Sequence, residues 1–289
     1  MESAMGRTAM RRPLALAALI AVTMIAFAGN SLLCRAALRH TAIDAASFTT
    51  IRIASGALML WLLVRLRGAR LAGHGSWRSA LALFAYAAGF SYAYLSLPAG
   101  TGALLLFGAV QATMIGYGIW SGERLRALQL LGLLLALGGL VGLLLPGLAA
   151  PPLQGALLML AAGVAWGIYS LRGKGAGDPT AVTAGNFCRA TLLAVALSLA
   201  MAGGARLDAA GAGYAVASGA LTSGLGYALW YAVLPALRAT TASTLQLSVP
   251  VIAALGGILF LGEPVTLRIV LAAVAILGGI ALVILNRHP

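Results

Sequence analysis

The sequence is poor in the side chains that most often carry out chemistry. Its 289 residues include only six acidic residues, three histidines, two cysteines and one lysine. The acidic residues and the histidines lie between apolar runs or near their ends. This distribution leaves no histidine metal site or proton relay inside a membrane and no nucleophile paired with a base. It also provides no buried carboxylate of the kind that proton-coupled carriers often use. We therefore expect neither a cofactor nor a metal.

Charged residues of both signs are scarce, and most of them are basic. The chain is 61% hydrophobic and 9% charged, whereas soluble domains carry about 25% charged residues. This composition predicts an all-α, multi-pass membrane protein that is surrounded by the lipid bilayer. The net charge of +13 does not indicate a nucleic-acid partner, because the arginines lie between apolar runs. Membrane topology accounts for such arginines without a basic binding face.

Ten apolar runs are long enough to cross a hydrocarbon core about 30 Å thick. Thirteen of the 19 lysines and arginines fall in alternate loops or the termini, and four fall on the opposite side. Both termini are therefore predicted to be cytoplasmic. The first run follows three arginines, as a signal peptide would, but it is long enough to span and has a counterpart later in the chain, so we expect it to be retained. The predicted spans are 13–35, 47–66, 77–97, 100–120, 126–145, 153–171, 181–202, 210–233, 239–261 and 265–286.

The chain also contains an internal repeat. Its two units cover 13–146 and 152–286, and each has five predicted spans. Because five is odd, the second unit enters the membrane inverted relative to the first. Inverted repeats are typical of transporters that bind their substrate near the membrane midplane, where the repeats meet. The matching motifs are Y-x-x-L-P at 94–98 and 231–235, Gly-Glu at 122–123 and 262–263, and Leu-Gly-Gly at 137–139 and 277–279.

These paired motifs, with P-A-G-T-G-A-L-L-L-F-G-A-V-Q at 98–111 and Pro-Val at 250–251, resemble the EamA-type units of the drug/metabolite transporter superfamily. The resemblance covers nearly the whole chain and points to bacterial exporters of amino acids and paraquat. It implies ten transmembrane helices that form two inverted five-helix repeats around a central cavity in the inner membrane. Helices 1, 3, 4, 6, 8 and 9 would line that cavity. A monomer is compatible with this arrangement.

The ninth span is the most polar one. Thr244 and Ser248 share one of its faces, whereas Gln246 lies elsewhere, and Gln111 occupies a similar depth in the fourth span. A buried amide needs hydrogen-bond partners, so the two glutamines are candidates for cavity lining. Serine and threonine hydroxyls can instead bond their own helix backbone, which leaves their role open. Pro250 removes a backbone hydrogen bond and can kink the helix, as a gate would require.

Deep aromatic and polar side chains in other spans complete the candidate cavity. A tyrosine within hydrocarbon favours a wet cavity, where its hydroxyl can be hydrogen-bonded. Ordinary helix–helix packing is the alternative for each of these residues. Together they predict an apolar pocket with hydrogen-bonding groups, suited to an amino acid or a flat aromatic solute. The candidates are Asn30, Tyr86, Phe90, Trp166, Tyr169, Ser223 and Tyr227.

Four charged residues are the remaining candidates. Arg52 and Arg189 lie a few residues from a helix start, so we expect them to reach the interface or to bond loop carbonyls. Binding of a substrate carboxylate is the alternative. Glu123 and Glu263 each precede a helix, so we expect them to cap that following helix, with a symmetric gating role as the alternative. The only lysine, Lys174, lies in a loop, which argues against a sugar-phosphate substrate.

The sequence therefore predicts an inner-membrane exporter of amino acids or related small metabolites that works by alternating access without ion coupling. One alternative is a proton-coupled exporter of cationic drugs or other metabolites. Another, from a different class, is a membrane-embedded scaffold or enzyme, which the scarcity of catalytic side chains disfavours.

Overall fold

The computed structural model describes residues 2–69, 74–122, 125–147, 150–173, 177–237, 242 and 245–285, with side chains from Ala15 onward. Within these residues, all regular secondary structure is helical. The first half contains α1 (Glu2–His40), α2 (Ala45–Leu66), α3 (Trp77–Tyr94), α4 (Ala99–Trp120) and α5 (Ala127–Leu144). The second half contains α6 (Leu153–Arg172), α7 (Pro179–Ala200), α8 (Ala209–Val216), a π-helical segment (Ala217–Leu225), α9 (Gly226–Val233), α10 (Ser248–Leu261) and α11 (Leu267–Leu285).

Seven of the described helices are long and apolar enough to cross a membrane, and α10 is a shorter apolar helix. The described helices lie at the positions of the predicted spans, with two differences. The predicted eighth span, 210–233, is built from α8, the π-helical segment and α9 in succession. Within the predicted ninth span, α10 begins only at Ser248, and most of the polar residues before it lie outside the described part.

Aspartate side chains begin three of the helices. Asp44, Asp178 and Asp208 accept hydrogen bonds from the first amides of α2, α7 and α8, which stabilises helix N-termini. The loops before α2 and α8 are also tied together, because Asp44 accepts from the Arg206 amide at 2.8 Å and Asp208 from the Ala42 amide at 3.1 Å. Partial burial opposes ionisation of Asp44, but the hydrogen bonds from its helix start and from Arg206 hold its pKa below the usual value.

Close packing places α4 at the centre of the bundle. It is the most buried of the long helices and packs against α6 and α10. Gly163 and Gly167 of α6 lie directly against Ala109 and Thr113 of α4, as small residues allow in membrane helices. By contrast, α5 and α11 pack on each other and expose much of their surface. Exposed apolar side chains on the outside of the bundle, such as Phe260 of α10, which is 78% exposed, would face lipid.

Candidate functional site

Arg52 is the centre of the candidate site. It lies in the first half of α2, and only 2% of its surface is exposed. Its Nη2 donates a hydrogen bond of 2.8 Å to the hydroxyl of Tyr86, which belongs to the central turns of α3. The guanidinium is therefore buried beside the middle of α3, and its described hydrogen bond goes to a tyrosine hydroxyl and not to a loop carbonyl, which differs from our expectation from the sequence. The physical reason is that α2 packs against α3 and the π-helical segment, which cover this side chain.

The charge of Arg52 has aromatic neighbours, and no carboxylate of the described residues pairs with it. Its Cζ lies 5.2 Å from the centre of the Tyr86 ring and 4.7 Å from that of Phe90, distances at which ring faces attract a cation. Among the described residues, its buried Nη1 has no hydrogen-bond partner, and no acidic side chain forms an ion pair with it. A buried charge without a counter-ion is costly, and in a membrane protein it marks a candidate functional site.

A hydrogen-bonded network joins Arg52 to other elements. Asn30 of α1 donates from Nδ2 to the same Tyr86 hydroxyl at 3.1 Å. Its Oδ1 accepts hydrogen bonds from Ser218 at 2.6 Å and from Thr222 at 3.4 Å, both in the π-helical segment. All five side chains are buried. The network therefore connects α1, α2, α3 and the π-helical segment at one point.

Trp166 of α6 is the centre of an aromatic wall beside this network. Its ring centre lies 4.8 Å from that of Tyr86, and it stacks on Tyr169 at 5.3 Å and on Tyr227 at 5.2 Å. Trp166 is half-buried, whereas the tyrosines are buried. Stacking and tilted ring contacts restrain the ring planes. The aromatic wall of these four rings is thus an ordered apolar surface next to a positive charge.

The π-helical segment approaches α2 through a glycine. A Cβ at Gly219 would collide with the carbonyl of Arg52 and the hydroxyl of Ser55, so this close approach requires glycine. The same nine-residue segment carries both hydroxyls that bind Asn30. π-Helical turns are rare in proteins, and those that occur often lie at functional sites, which agrees with this position.

Arg189 has different surroundings from Arg52. Its Nη1 donates to the carbonyl of His74 at 2.8 Å and to that of Gly185 at 2.9 Å. His74 lies in the loop before α3, so the expected bonding to a loop carbonyl is present here. This arginine therefore ties a loop to α7 and does not enter the network around Arg52.

Glu263 joins three chain segments at one end of the bundle. Its Oε1 pairs with Nε of Arg35 at 3.1 Å, and its Oε2 accepts the Ala99 amide at the start of α4 at 2.7 Å. Arg35 also donates to the carbonyls that end α3. We expected Glu263 to cap the following helix, but Gly262, with φ +61°, turns the chain so that the carboxylate caps α4 instead. Arg35, Glu263 and the start of α4 are called the terminal clasp below.

Several other candidates do not join the network among the described residues. Ser248, the first residue of α10, donates its hydroxyl to the carbonyl of Leu245 just before that helix at 2.6 Å. Gln111 is buried in α4, and Gln246 is half-buried before α10. Their part in a cavity therefore stays a prediction.

Four further candidates have mixed outcomes. Ser223 is buried, and its hydroxyl has no partner in the described part of the chain. Pro250 is buried in α10. Thr244 and Glu123 lie outside the described residues. Conversely, reasoning from the sequence missed Ser218 and Thr222, whose signal was two hydroxyls four residues apart within an apolar span.

The site offers binding chemistry. A buried cation, hydrogen-bonding groups and an aromatic wall lie together within apolar helices, and the described residues contain no cluster of His, Cys, Asp or Glu that could hold a metal. A buried cation with hydrogen-bonding groups inside a helical membrane protein agrees with a transporter of small molecules. The chain matches the EamA-like transporter family over residues 153–285, and it belongs to that family within the drug/metabolite transporter superfamily.

Three individual proteins are similar to this chain. The chain is 61% identical over 270 residues to "Uncharacterized protein PA1977" of Pseudomonas aeruginosa, which covers 93% of this chain and 94% of that protein. It is 34% identical over 129 residues to the threonine/homoserine exporter RhtA of Salmonella typhimurium, across 44% of this chain and 43% of the exporter. A solved structure described only as "Crystal structure of protein" has a TM-score of 0.66 at 21% identity, over 92% of this chain and 96% of that one. This likeness shows a shared fold.

Proposed function

We propose that this protein exports amino acids or related small metabolites across a bacterial inner membrane by alternating access. The observation that carries the proposal is the network around Arg52. It brings a charge, hydrogen-bonding groups and an aromatic wall together, and the proposal puts this group of side chains near the membrane midplane, where carriers bind their solutes. The partial likeness to an exporter of threonine and homoserine supports an amino-acid solute. Membership of a transporter family favours transport over an enzymatic or scaffold role.

Two inverted five-helix repeats, 13–146 and 152–286, are part of this proposal. α5 and α11, the last helices of the two units, meet through the matched glycines Gly139 and Gly279. Gly139 lies against Ala275, and Gly279 lies against Ala136, so the two contacts are reciprocal to within one residue. A two-fold axis between the units would generate such pairs. The packing of α2 on α7, the second helix of each unit, supports the same symmetry. Ten crossings result when α3, the composite eighth span and the span ending in α10 are added to the seven long helices.

The terminal clasp provides a structural basis for the exchange between outward-open and inward-open states. With both termini in the cytoplasm, α1 ends and α4 begins on the periplasmic side. The terminal clasp then closes the periplasmic end of the bundle. Release of solute to the outside requires Glu263 to separate from Arg35 or from the start of α4. The carboxylate of Glu263 would thus act in gating and not in catalysis.

Facilitated transport is the simpler energetic scheme. Asp44, Asp178 and Asp208 hold helix starts, and Glu263 is held in the terminal clasp. None of these carboxylates is bonded to the network around Arg52, where a coupled proton would have to act. A solute that accumulates in the cytoplasm would leave down its own gradient.

Cationic drugs are the competing solute class, and the charge of Arg52 disfavours them. Two unit charges about 6 Å apart repel by about 3 kcal/mol at an effective dielectric constant of about 20. That repulsion would weaken binding of a cation roughly 100-fold. An anionic or zwitterionic solute would experience attraction instead.

Transport by the purified protein in liposomes tests the proposal. Liposomes loaded with labelled L-threonine, L-homoserine and other amino acids should release at least one of them faster than liposomes that contain heat-unfolded protein. The release should occur with equal pH on both sides. Release of no amino acid would contradict amino-acid export. Uphill accumulation driven by a proton gradient alone would contradict the facilitated mechanism.

A further inference from the structure

We propose that the guanidinium of Arg52 and the hydroxyl of Tyr86 form a carboxylate-binding subsite, so that the transported solute carries a carboxylate group. This inference rests on the proposed function as a small-molecule exporter and names the chemical class of its solute. It also names the contact that would select that class.

The first argument is the uncompensated charge. Arg52 is 2% exposed, and a guanidinium keeps its proton under all physiological conditions. The described acidic side chains with known partners are bound at helix ends, and none of them pairs with Arg52. A buried cation is stabilised by a nearby anion, and the described side chains that contact this guanidinium offer ring faces and a phenol. A solute carboxylate would provide the missing negative charge.

The second argument is the available donors. The buried Nη1 of Arg52 has no acceptor among the described residues. The hydroxyl oxygen of Tyr86 already accepts two hydrogen bonds, from Arg52 Nη2 at 2.8 Å and from Asn30 Nδ2 at 3.1 Å. A phenol has one hydrogen to donate, so that hydrogen remains available to an acceptor. Nη1–H and the phenolic O–H are therefore two donors on neighbouring groups, which match the two oxygens of one carboxylate.

The third argument is the adjoining surface. The rings of Tyr86, Trp166 and Tyr227 form a continuous series with centre separations of 4.8 Å and 5.2 Å. A solute with its carboxylate at Arg52 would place its remaining atoms against these rings. This surface favours an apolar or flat group. A single arginine provides too little positive charge for a phosphate dianion, which commonly binds several cationic groups.

Two other arginines, Arg35 and Arg189, have structural roles, and their surroundings differ from those of Arg52. Arg35 has the carboxylate of Glu263 at 3.1 Å, and Arg189 has two carbonyls on its Nη1. Both arginines hold chain segments together. Only the environment of Arg52, among these three, combines full burial with a free donor and no counter-ion in the described part of the chain.

Ligand binding to the purified full-length protein tests the subsite. Benzoate and benzamide have the same ring and nearly the same shape, but only benzoate is charged, so they form a matched pair of probes. Thermal unfolding and isothermal titration are measured with benzoate, benzamide and inorganic phosphate at constant ionic strength. Benzoate should bind more tightly than benzamide by roughly 10- to 100-fold, as expected for a charge-assisted hydrogen bond. Equal binding of the pair, or tighter binding of phosphate, would overturn the inference.

Variants assign the selectivity to the two side chains. Arg52→Gln should weaken benzoate binding by roughly 10- to 100-fold and change benzamide binding by less than about 3-fold. Tyr86→Phe, which keeps the ring and removes the O–H, should weaken benzoate by roughly 3- to 10-fold. Arg65→Gln, an exposed arginine on the same helix, should change neither. An equal loss for both probes in Arg52→Gln would indicate a structural role and reject the subsite.

Two further outcomes are distinguishable. If Arg52→Gln does not fold, Arg52→Lys keeps the charge and should retain a preference for benzoate, whereas loss of that preference in a folded Arg52→Lys protein would count against the subsite. If the liposome assay finds no amino-acid export but the benzoate preference depends on Arg52, the carboxylate subsite stands and the amino-acid proposal fails. If L-threonine and L-threoninamide are exported at equal rates, the amino-acid export proposal stands and the carboxylate subsite fails.

Discussion

Arg52 and Arg189 lie inside the second and seventh predicted spans, at loosely corresponding positions of the two repeat units, and their surroundings differ. Arg189 donates to two backbone carbonyls and holds the loop before α3 against α7. Arg52 gives one hydrogen bond to Tyr86 and has a buried donor without a partner in the described residues. The distance of an arginine from a helix end therefore does not determine its role. The groups that meet its donors do.

The largest expected effect comes from replacing each arginine with methionine. Arg52→Met should lower transport of a carboxylate solute by about 100-fold or more, because the subsite loses its charge. Its unfolding temperature should stay equal or rise, since replacing a buried uncompensated charge with an apolar side chain is often neutral or stabilising. Arg189→Met should instead lower stability by about 1–3 kcal/mol, because two carbonyls lose their donor.

Transport per folded molecule and thermal unfolding measure the two effects separately. Transport by Arg189→Met, corrected for the amount of folded protein, should stay within about 3-fold of the unmodified chain. A strong loss of stability in Arg52→Met with normal residual transport would reverse the assignment of the two arginines.

A carboxylate introduced beside Arg52 should compete with the solute for its charge. Asn30 donates to the same Tyr86 oxygen as Arg52, so Asn30→Asp would place a carboxylate close to the guanidinium without changing side-chain size. We expect transport of carboxylate solutes to fall by roughly 10- to 30-fold, since the new carboxylate competes for the charge. The matched control is Asn186→Asp, which alters an asparagine that donates to a different tyrosine, Tyr169.

Competition assays with benzoate and benzamide provide the measurement. Benzoate should lose its advantage over benzamide in Asn30→Asp and keep it in Asn186→Asp. The proposed subsite would be contradicted by an unchanged benzoate preference in a folded Asn30→Asp protein.

The contrast also shows what can be predicted from the sequence. The membrane class and the helix positions were accessible, because the length of an apolar run follows the thickness of the hydrocarbon core. Asn30, Tyr86, Trp166 and Tyr227 were identifiable, because polar and amphipathic side chains deep in apolar helices require partners.

Other parts of the site depend on contacts between distant segments. The direction of the Arg52 side chain depends on the packing of α2 against the π-helical segment, and no local sequence pattern indicates that segment. The partner of Glu263 is the amide of Ala99, which lies 164 residues away in the chain. The expectation of a cap on the following helix used only local sequence and therefore chose the wrong helix.

A third arginine, Arg35, is buried together with its counter-ion, Glu263. Glu263→Gln would leave Arg35 buried without a carboxylate, and breaking a buried pair commonly costs about 3–5 kcal/mol. The carbonyls that end α3 still accept from Arg35, so we expect a loss of about 3 kcal/mol in chemical unfolding. Arg39→Gln is the control, because Arg39 is 42% exposed and lies 3.9 Å from Glu263. An equal loss in both variants would argue against the terminal clasp.

The smallest effect tests how Arg52 is positioned. Gly219→Ala would push a Cβ into the backbone of α2 at Arg52, and overpacking of this kind costs about 1–3 kcal/mol. Gly213→Ala in α8 is the matched control, because a Cβ there meets nothing within 4 Å, and it should stabilise the helix slightly. Thermal unfolding compares them, and a benzoate titration shows whether displacement of α2 also weakens the subsite. Equal stability of the two variants would contradict the tight approach.

The π-helical segment has a mechanical consequence for a helix that lies in lipid. Each residue of an α-helix turns the chain by about 100° around its axis. If one residue of the segment changed from π-helical to α-helical hydrogen bonding, α9 and its Tyr227 would therefore rotate relative to α8. The backbone amides would stay bonded within the helix, as the hydrocarbon environment demands. The π-helical segment can therefore allow one half of the span to rotate about the helix axis while the span stays helical.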